Sequence, residues 1–219
     1  ASSLRAASLQ FHENHYFIAR RRTSDLLVEW EPLRHFPGPA SSLRNLSTAG
    51  YAARFILALA PFREREESLY HLLENIYRLL YLDINNDIIN VLFEWGFLLV
   101  MGISPPFENC IGCGRPLHTG YFMWDIPEGG FLCSECSDRP VQGGIGLGPE
   151  SLDYALAVRG LSGRLCEGPT ENTFEEIEKK TRELLSFSRE TKSAFNRAVV
   201  RFCQYHLNEE IPGWLVDMN

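Results

Sequence analysis

Two cysteine pairs constrain this chain more tightly than anything else in it. Cys110-x-x-Cys113 and Cys133-x-x-Cys136 stand 19 residues apart, a C-x2-C-x19-C-x2-C pattern. A two-residue gap lets both thiolates of a knuckle reach one ion. Four sulfurs at about 2.3 Å close a tetrahedron around Zn²⁺ and leave no position for a substrate. The expectation is one structural zinc held by Cys110, Cys113, Cys133 and Cys136. Gly114, and Gly129 with Gly130, suit tight ribbon turns, and 121–124 and 131–132 supply two short strands. Paired disulfides would need an oxidising compartment, and no basic-then-apolar leader points to one. A thioredoxin-like redox pair needs a βαβ setting, which the pattern lacks. Cys166 and Cys203 have no knuckle partner and read as buried, inert thiols.

Composition fits a globular protein with a sizeable core: 219 residues, 45% hydrophobic and 22% charged. Charges interrupt every apolar run before the roughly 18 residues a membrane span needs, so no membrane association is expected. The formal net charge of −7 argues against a protein that simply coats nucleic acid. The charge is uneven, however. Residues 1–44 hold six arginines, Arg5, Arg20, Arg21, Arg22, Arg34 and Arg44, against four acids, whereas the rest holds 15 bases against 24 acids. Such asymmetry marks a candidate polyanion-binding end on an acidic body.

Along the chain, Phe11, 16–18 and 26–30 form short β-prone runs, with His12 to His15 and Thr23 to Asp25 as turn material. From Ser41 the period becomes helical. Leu43, Leu46, Gly50, Ala53, Ile56 or Leu57, and Ala60 recur as a candidate inward face, ended by Pro61. A second helix is predicted over about 66–81, with Leu69, Leu72, Leu73, Ile76 and Leu80 inward. A third, over about 86–101, is apolar almost all round, which implies burial on several sides. Beyond the cysteines come a glycine-rich joint and a short helix over 149–158. Another helix opens with a capping box of Thr173 and Glu176, and a last one over about 192–207 repeats Phe195, Val199, Phe202 and His206. The fold class is therefore α+β, mainly α.

Several chemical-looking signals fail on spacing. His12-Glu13-Asn14-His15 is one residue short of the H-E-x-x-H zinc-protease motif. Glycines 143, 144, 146 and 148 complete no phosphate loop, there is no Gly-x-Ser-x-Gly elbow, and the deaminase His-x-Glu ligand segment is missing. Asn45-Leu46-Ser47 is a glycosylation sequon in form only, and His206 reads as a satisfied core or boundary histidine rather than a ligand. With all four metal positions filled by protein and no nucleophile–base pair, the chain is not expected to be an enzyme.

The residues Phe93-Glu94, Leu98-Leu99, Gly102 and Pro105, then Cys110-x-x-Cys113-Gly114, Gly129-Gly130 and Cys133-x-x-Cys136, resemble the signature of the bacterial RecO recombination and repair family. Ser2 to Arg5 followed by Phe11 is similar to that family's late barrel segment, and 147–161 to its helix after the knuckles. The resemblance implies a partial N-terminal oligonucleotide-binding (OB) β-barrel over 1–36, whose first strands lie outside this sequence. It further implies a helical domain over 37–219 with an inserted zinc ribbon at about 107–140. It also implies a mediator of DNA repair and recombination that binds single- and double-stranded DNA, anneals complementary strands and helps load the recombinase RecA. The implied partners are a RecR-like protein and the single-strand-binding protein, in the bacterial cytoplasm at the nucleoid. Zinc ligands carry over residue by residue, whereas DNA contacts do not. Arg5, Arg20, Arg21, Arg22 and Arg34 are candidates by charge and placement alone. The rival reading is a zinc-ribbon helical scaffold that docks protein partners without nucleic acid.

Overall fold

Serine and asparagine side chains cap the start of three of the helices. Ser42 accepts the backbone N–H of Asn45 and opens α1 (Leu43–Leu59), and Asn85 accepts that of Asp87 and opens α3 (Asn86–Val100). Ser188 accepts that of Thr191 and opens α6 (Arg189–His206). Each cap satisfies a backbone donor that the first helical turn leaves free. Between them lie α2 (Glu67–Leu79), α4 (Ser151–Leu165) and α5 (Glu171–Glu183). The computed structural model describes residues 11–60, 66–117, 120–138, 141–168 and 171–207. Among these, no helix is long and apolar enough to cross a membrane.

The body is α+β with helices predominating, and α3 is its axis. Ile88, Ile89, Val91, Leu92, Phe93, Trp95, Phe97 and Leu98 are all buried, as all-round apolarity predicts. Helices α1, α2, α4 and α6 pack around it. Helix α1 approaches through a face different from the one hydrophobicity selects. Thr48, Ala49, Tyr51, Ala52 and Phe55 are buried, whereas Leu43 is 86% and Leu57 83% exposed. The small Ala49 and Ala52 give this face room, and Tyr51 and Phe55 meet Phe93 edge to face at 5.9 and 5.5 Å. Close approach outweighs the side-chain transfer preference of exposed leucines. The sequon residue Asn45 has a structural task, donating from its amide to the carbonyls of Gly38 (3.2 Å) and Leu80 (2.7 Å). Gly38 itself is pressed onto the end of α2, where a Cβ would come within 2.8 Å of the backbone of Tyr77, Leu80 and Tyr81.

Three other boundaries differ from the sequence expectations. Helix α4 runs to Leu165 rather than 158, because Leu161 and Leu165 are buried and Ser162 donates to the Leu92 carbonyl at 2.9 Å. That docking carries it past two glycines. Helix α5 begins at Glu171, so Thr173 lies inside it and the capping box is not its start. The Glu176 carboxylate instead meets Arg164 at 2.5 Å and Lys180 at 3.1 Å. The glycine-rich joint contains a strand, β5 (Ile145–Leu147), which Gly146 hides from any pattern search.

The N-terminal sheet is a two-stranded antiparallel hairpin, β1 (His12–Ala19) and β2 (Leu26–His35), with irregular register after Glu13 and after Phe17. It replaces the three shorter runs of the sequence reading. His12 to His15, expected as a turn, pair with 31–35, because ladder hydrogen bonds serve polar residues as well as apolar ones. Ser2 to Arg5 lie outside the described residues.

The hairpin's base is held by rings and charge. Phe11 and Phe36 pack on Tyr77 of α2 at 5.4 and 5.8 Å. Beside them Glu74 is buried, its carboxylate ion-paired to Arg34 of β2 and to Arg78 at 2.8 Å. Removing one partner of a buried pair costs about 3–5 kcal/mol. Arg34 and Arg78 are partly solvated, so Glu74→Ala is expected to cost less, about 2–3 kcal/mol, in urea denaturation. A loss below ~0.5 kcal/mol, typical of surface changes, would show that the rings alone hold the hairpin.

Candidate metal centre

The ribbon is inserted between α3 and α4. Strands β3 (Phe122–Asp125) and β4 (Gly130–Cys133) form a hairpin joined by a turn in which Gly129 has φ +69°, a conformation that favours glycine. Strand β5 pairs antiparallel with the other edge of β3. The ribbon's inner side continues the body's core. Phe107 stacks between Trp95 (5.1 Å) and Phe131 (4.7 Å), and Trp124 meets Trp95 (5.8 Å), Phe195 (5.8 Å) and Phe202 (5.2 Å). At the outer end the ring of His206 lies on Phe202, and its Nε2 is 2.6 Å from the Ile126 carbonyl, a boundary position as expected.

The knuckles bring Cys110, Cys113, Cys133 and Cys136 together. Their four sulfurs lie within 4.8 Å of one another, and Cys113 Sγ is 3.9 Å from Cys133 Sγ. A tetrahedron with arms of about 2.3 Å has edges of about 3.8 Å, so the spacing fits zinc. Backbone N–H groups of Cys133 and Gly112 donate to Cys110 Sγ at 3.3 and 3.4 Å, the bonds a thiolate needs. They outweigh the burial of Cys110 and lower its pKa. Arg115 donates to Cys113 Sγ at 3.4 Å and, with backbone help, pushes that thiol down to about 6. Glu135 in turn pairs with the same guanidinium. Cys136 is pushed the other way, up to about 12, by the Cys133 and Cys113 sulfurs beside it. Four adjacent thiols cannot all ionise alone, and a divalent cation is the group that lets them. The geometry is compatible with zinc, and four sulfur ligands would close the ion against substrate. Arg115 and Glu135, which sequence reasoning passed over, are an Arg–Glu pair set one or two residues from the knuckle cysteines.

The two remaining cysteines are remote from this cluster. Cys203 is fully buried, and burial raises its thiol well above the ordinary value. Burial pushes Cys166, which contacts the Ser162 carbonyl at 3.2 Å, up to about 12.

The candidate arginines are scattered. Arg5 lies outside the described residues. Strand β1 stops at Ala19, so Arg20, Arg21 and Arg22 form the exposed β1–β2 connection rather than a strand with alternating faces. None of these three has a carboxylate of the described residues within ion-pair distance, whereas Arg34 is engaged by Glu13 at 3.6 Å and by Glu74. Exposed apolar side chains flank the connection: Tyr16, Phe17, Ile18, Leu26 and Val28.

A helical body with a four-cysteine ribbon set between two of its core helices, and a β-hairpin at its N-terminal side, defines a class: α+β proteins that carry a four-cysteine knuckle pair on a helical core. Residues 40–166, more than half of the chain, match the family model described as "Recombination protein O C terminal". The chain belongs to the RecO family. It is 29% identical over 171 residues to the DNA repair protein RecO of Desulforudis audaxviator, covering 78% of this chain and 64% of that protein. To the DNA repair protein RecO of Pelotomaculum thermopropionicum it is 30% identical over 166 residues, covering 73% and 64% respectively. To that of Nostoc punctiforme it is 29% identical over 150 residues, covering 63% and 50%. The chain thus spans between half and two thirds of the length of these curated relatives.

Proposed function

We propose that this chain acts in DNA repair as a non-enzymatic mediator that binds DNA, anneals complementary single strands and assists recombinase loading. The zinc ribbon has a structural role in this reading. A single observation carries the DNA part beyond family membership: three consecutive arginines, with no carboxylate of the described residues within ion-pair distance, cap an exposed hairpin flanked by Tyr16 and Phe17. Cations there would lower the repulsion between two phosphate backbones, and the rings would offer faces on which bases stack while pairing proceeds. Arg34 belongs to the hairpin's anchorage in this account, and Arg5, outside the described residues, stays a candidate by charge alone. RecR-like and single-strand-binding proteins are the partners this role implies, in the bacterial cytoplasm.

Salt dependence tests the proposal. Each phosphate neutralised on a single strand contributes a slope near 0.7 in log affinity against log salt. Changing Arg20, Arg21 and Arg22 together to Gln is expected to flatten that slope by about 2 and to weaken binding alike on all sequences. A labelled strand titrated at several salt concentrations measures it, and an unchanged slope would remove these arginines from the contact. One observation favours the scaffold reading: the exposed Leu43, Leu46 and Leu57 on α1 are the kind of surface a protein partner covers. DNA affinity absent at every salt concentration would leave that reading standing.

A further inference from the structure

The described cations sort into two kinds. One kind sits against a carboxylate: Arg44 on Asp87, Arg78 on Glu74, Arg159 on Glu108, and along α5 Lys180 on Glu176 and Arg182 on Glu178. Helix α6 differs. It carries Arg189, Lys192, Arg197 and Arg201 against a single acid, Glu190, in a chain of net charge −7. Arg189, Arg197 and Arg201 are exposed, and no carboxylate of the described residues lies within 4.0 Å of any of them. Arg197 donates to Ser193 at 2.6 Å, which braces its guanidinium along the helix, and Lys192 is turned aside to the Leu185 carbonyl.

Their spacing is regular. Residues 189, 193, 197, 201 and 205 advance by fours, each step turning about 40°, so Arg189, Ser193, Arg197, Arg201 and Tyr205 form an oblique row that winds across the outward face from one edge to the other. At 1.5 Å per residue, Arg197 and Arg201 are about 6 Å apart along the axis and Arg189 lies about 12 Å further back. Tyr205, 55% exposed, ends the row with a ring available for stacking. The opposite face, Phe195, Ala198, Val199, Phe202 and Cys203, is consumed by the core, so α6 has no apolar side left for a lipid surface. A row of guanidiniums with no carboxylate of the described residues beside them, ending in an aromatic ring, is what a single nucleic-acid strand requires: charge along the backbone and a flat face for a base.

We infer that the outward face of α6 is a second contact for single-stranded DNA, with Arg189, Arg197 and Arg201 on phosphates and Tyr205 on a base. The inference rests on the DNA-binding reading above and adds to it a place where a second strand is held. The hairpin tip and α6 belong to separate elements, so one molecule would offer two places at which a strand is held.

The test uses the full chain, single-stranded DNA of mixed sequence, and anisotropy titrations at several salt concentrations. The variant Arg189→Gln/Arg197→Gln/Arg201→Gln is expected to flatten the salt slope by about 2. Tyr205→Ala is expected to weaken binding about tenfold with the slope intact, because stacking releases no counterions. A control, Lys179→Gln/Lys180→Gln/Arg182→Gln on α5, changes net charge equally and is expected to leave the slope in place. If the wild-type chain binds and the α6 variant keeps its slope, the inference is overturned while the proposed function stands. An α5 control that lowers the slope as far as the α6 variant overturns it too, because overall charge is then sufficient. A wild-type chain that binds no DNA at any salt concentration removes both.

Discussion

Protein purified without added metal is expected to carry one equivalent of zinc, and Cys133→Ser to lose most of the molecule's stability. Structural zinc binding contributes apparent free energies of about 10–16 kcal/mol in small zinc peptides, against a whole-domain stability of roughly 5–15 kcal/mol. The ribbon from Cys110 to Cys136 is too short to hold a core of its own. Its inner residues Phe107, Trp124 and Phe131 also form part of the body's aromatic stack, so a loosened ribbon exposes Trp95 and Phe195 as well. Thermal unfolding with and without chelator, beside elemental analysis, reads both effects. Iron in place of zinc, or an unchanged melting temperature on chelation, would defeat the assignment.

The second large effect is on pH dependence and centres on Glu94, far from any solvent. Burial pushes its carboxyl up to about 8, opposed by the Tyr51 hydroxyl, which donates to Oε1 at 2.5 Å. In the unfolded chain the group titrates near its ordinary 4.5. Between these values the folded state holds one proton more than the unfolded state, so stability falls as pH rises. Below about 4.5 both states are protonated and the group contributes nothing; above about 8 the penalty of burying the charge is complete. Each pKa unit corresponds to about 1.4 kcal/mol, so the whole window amounts to at most ~5 kcal/mol. Glu94→Gln keeps an acceptor for Tyr51 and removes the titration. The stability difference between variant and wild type should widen by about 1.4 kcal/mol per pH unit from pH 5 to 7.5. Parallel curves across that range would mean that Glu94 is already ionised in the folded protein.

What the sequence made legible was local. The knuckles are a spacing, and the spacing alone brings four sulfurs together. Helix α3 is apolar on every side and α6 repeats Phe195, Val199 and Phe202, so their burial followed from periodicity. The misses have a common physical origin in tertiary contact. Leu43, Leu46 and Leu57 outrank Ala49 and Ala52 on any hydrophobic scale, yet the alanines face α3 because backbones approach closely there. The expected short helix over 149–158 stops before Gly160 and Gly163, and docking on the Leu92 carbonyl carries α4 beyond them. The polar run His12 to His15 looked like a turn because ladder pairing is blind to side-chain polarity. The Glu74 cluster joins residues forty positions apart in the chain, which no local pattern encodes. The α6 row was present in the sequence as Arg189, Arg197 and Arg201. Its meaning needed the knowledge that no carboxylate of the described residues lies within ion-pair distance of these three.

Placing the ribbon between α3 and α4 also has a consequence for how the molecule is assembled. These two helices pack against each other, yet the chain from Met101 to Glu150 must first be looped out between them. The entropy of closing a loop grows only as the logarithm of its length, about 0.6 kcal/mol for each doubling. Tying Cys110 to Cys136 removes roughly half of that loop, so as a tether an ion there would contribute only about 0.6 kcal/mol. Its leverage lies instead in timing. The ribbon's Phe131 and Trp124 pack on the same aromatic stack as Trp95 of α3, so a wall that waits on closure of the knuckles would leave that stack incomplete until then. Metal supply during synthesis would then govern how long Trp95 and its neighbours stay open to water and to aggregation.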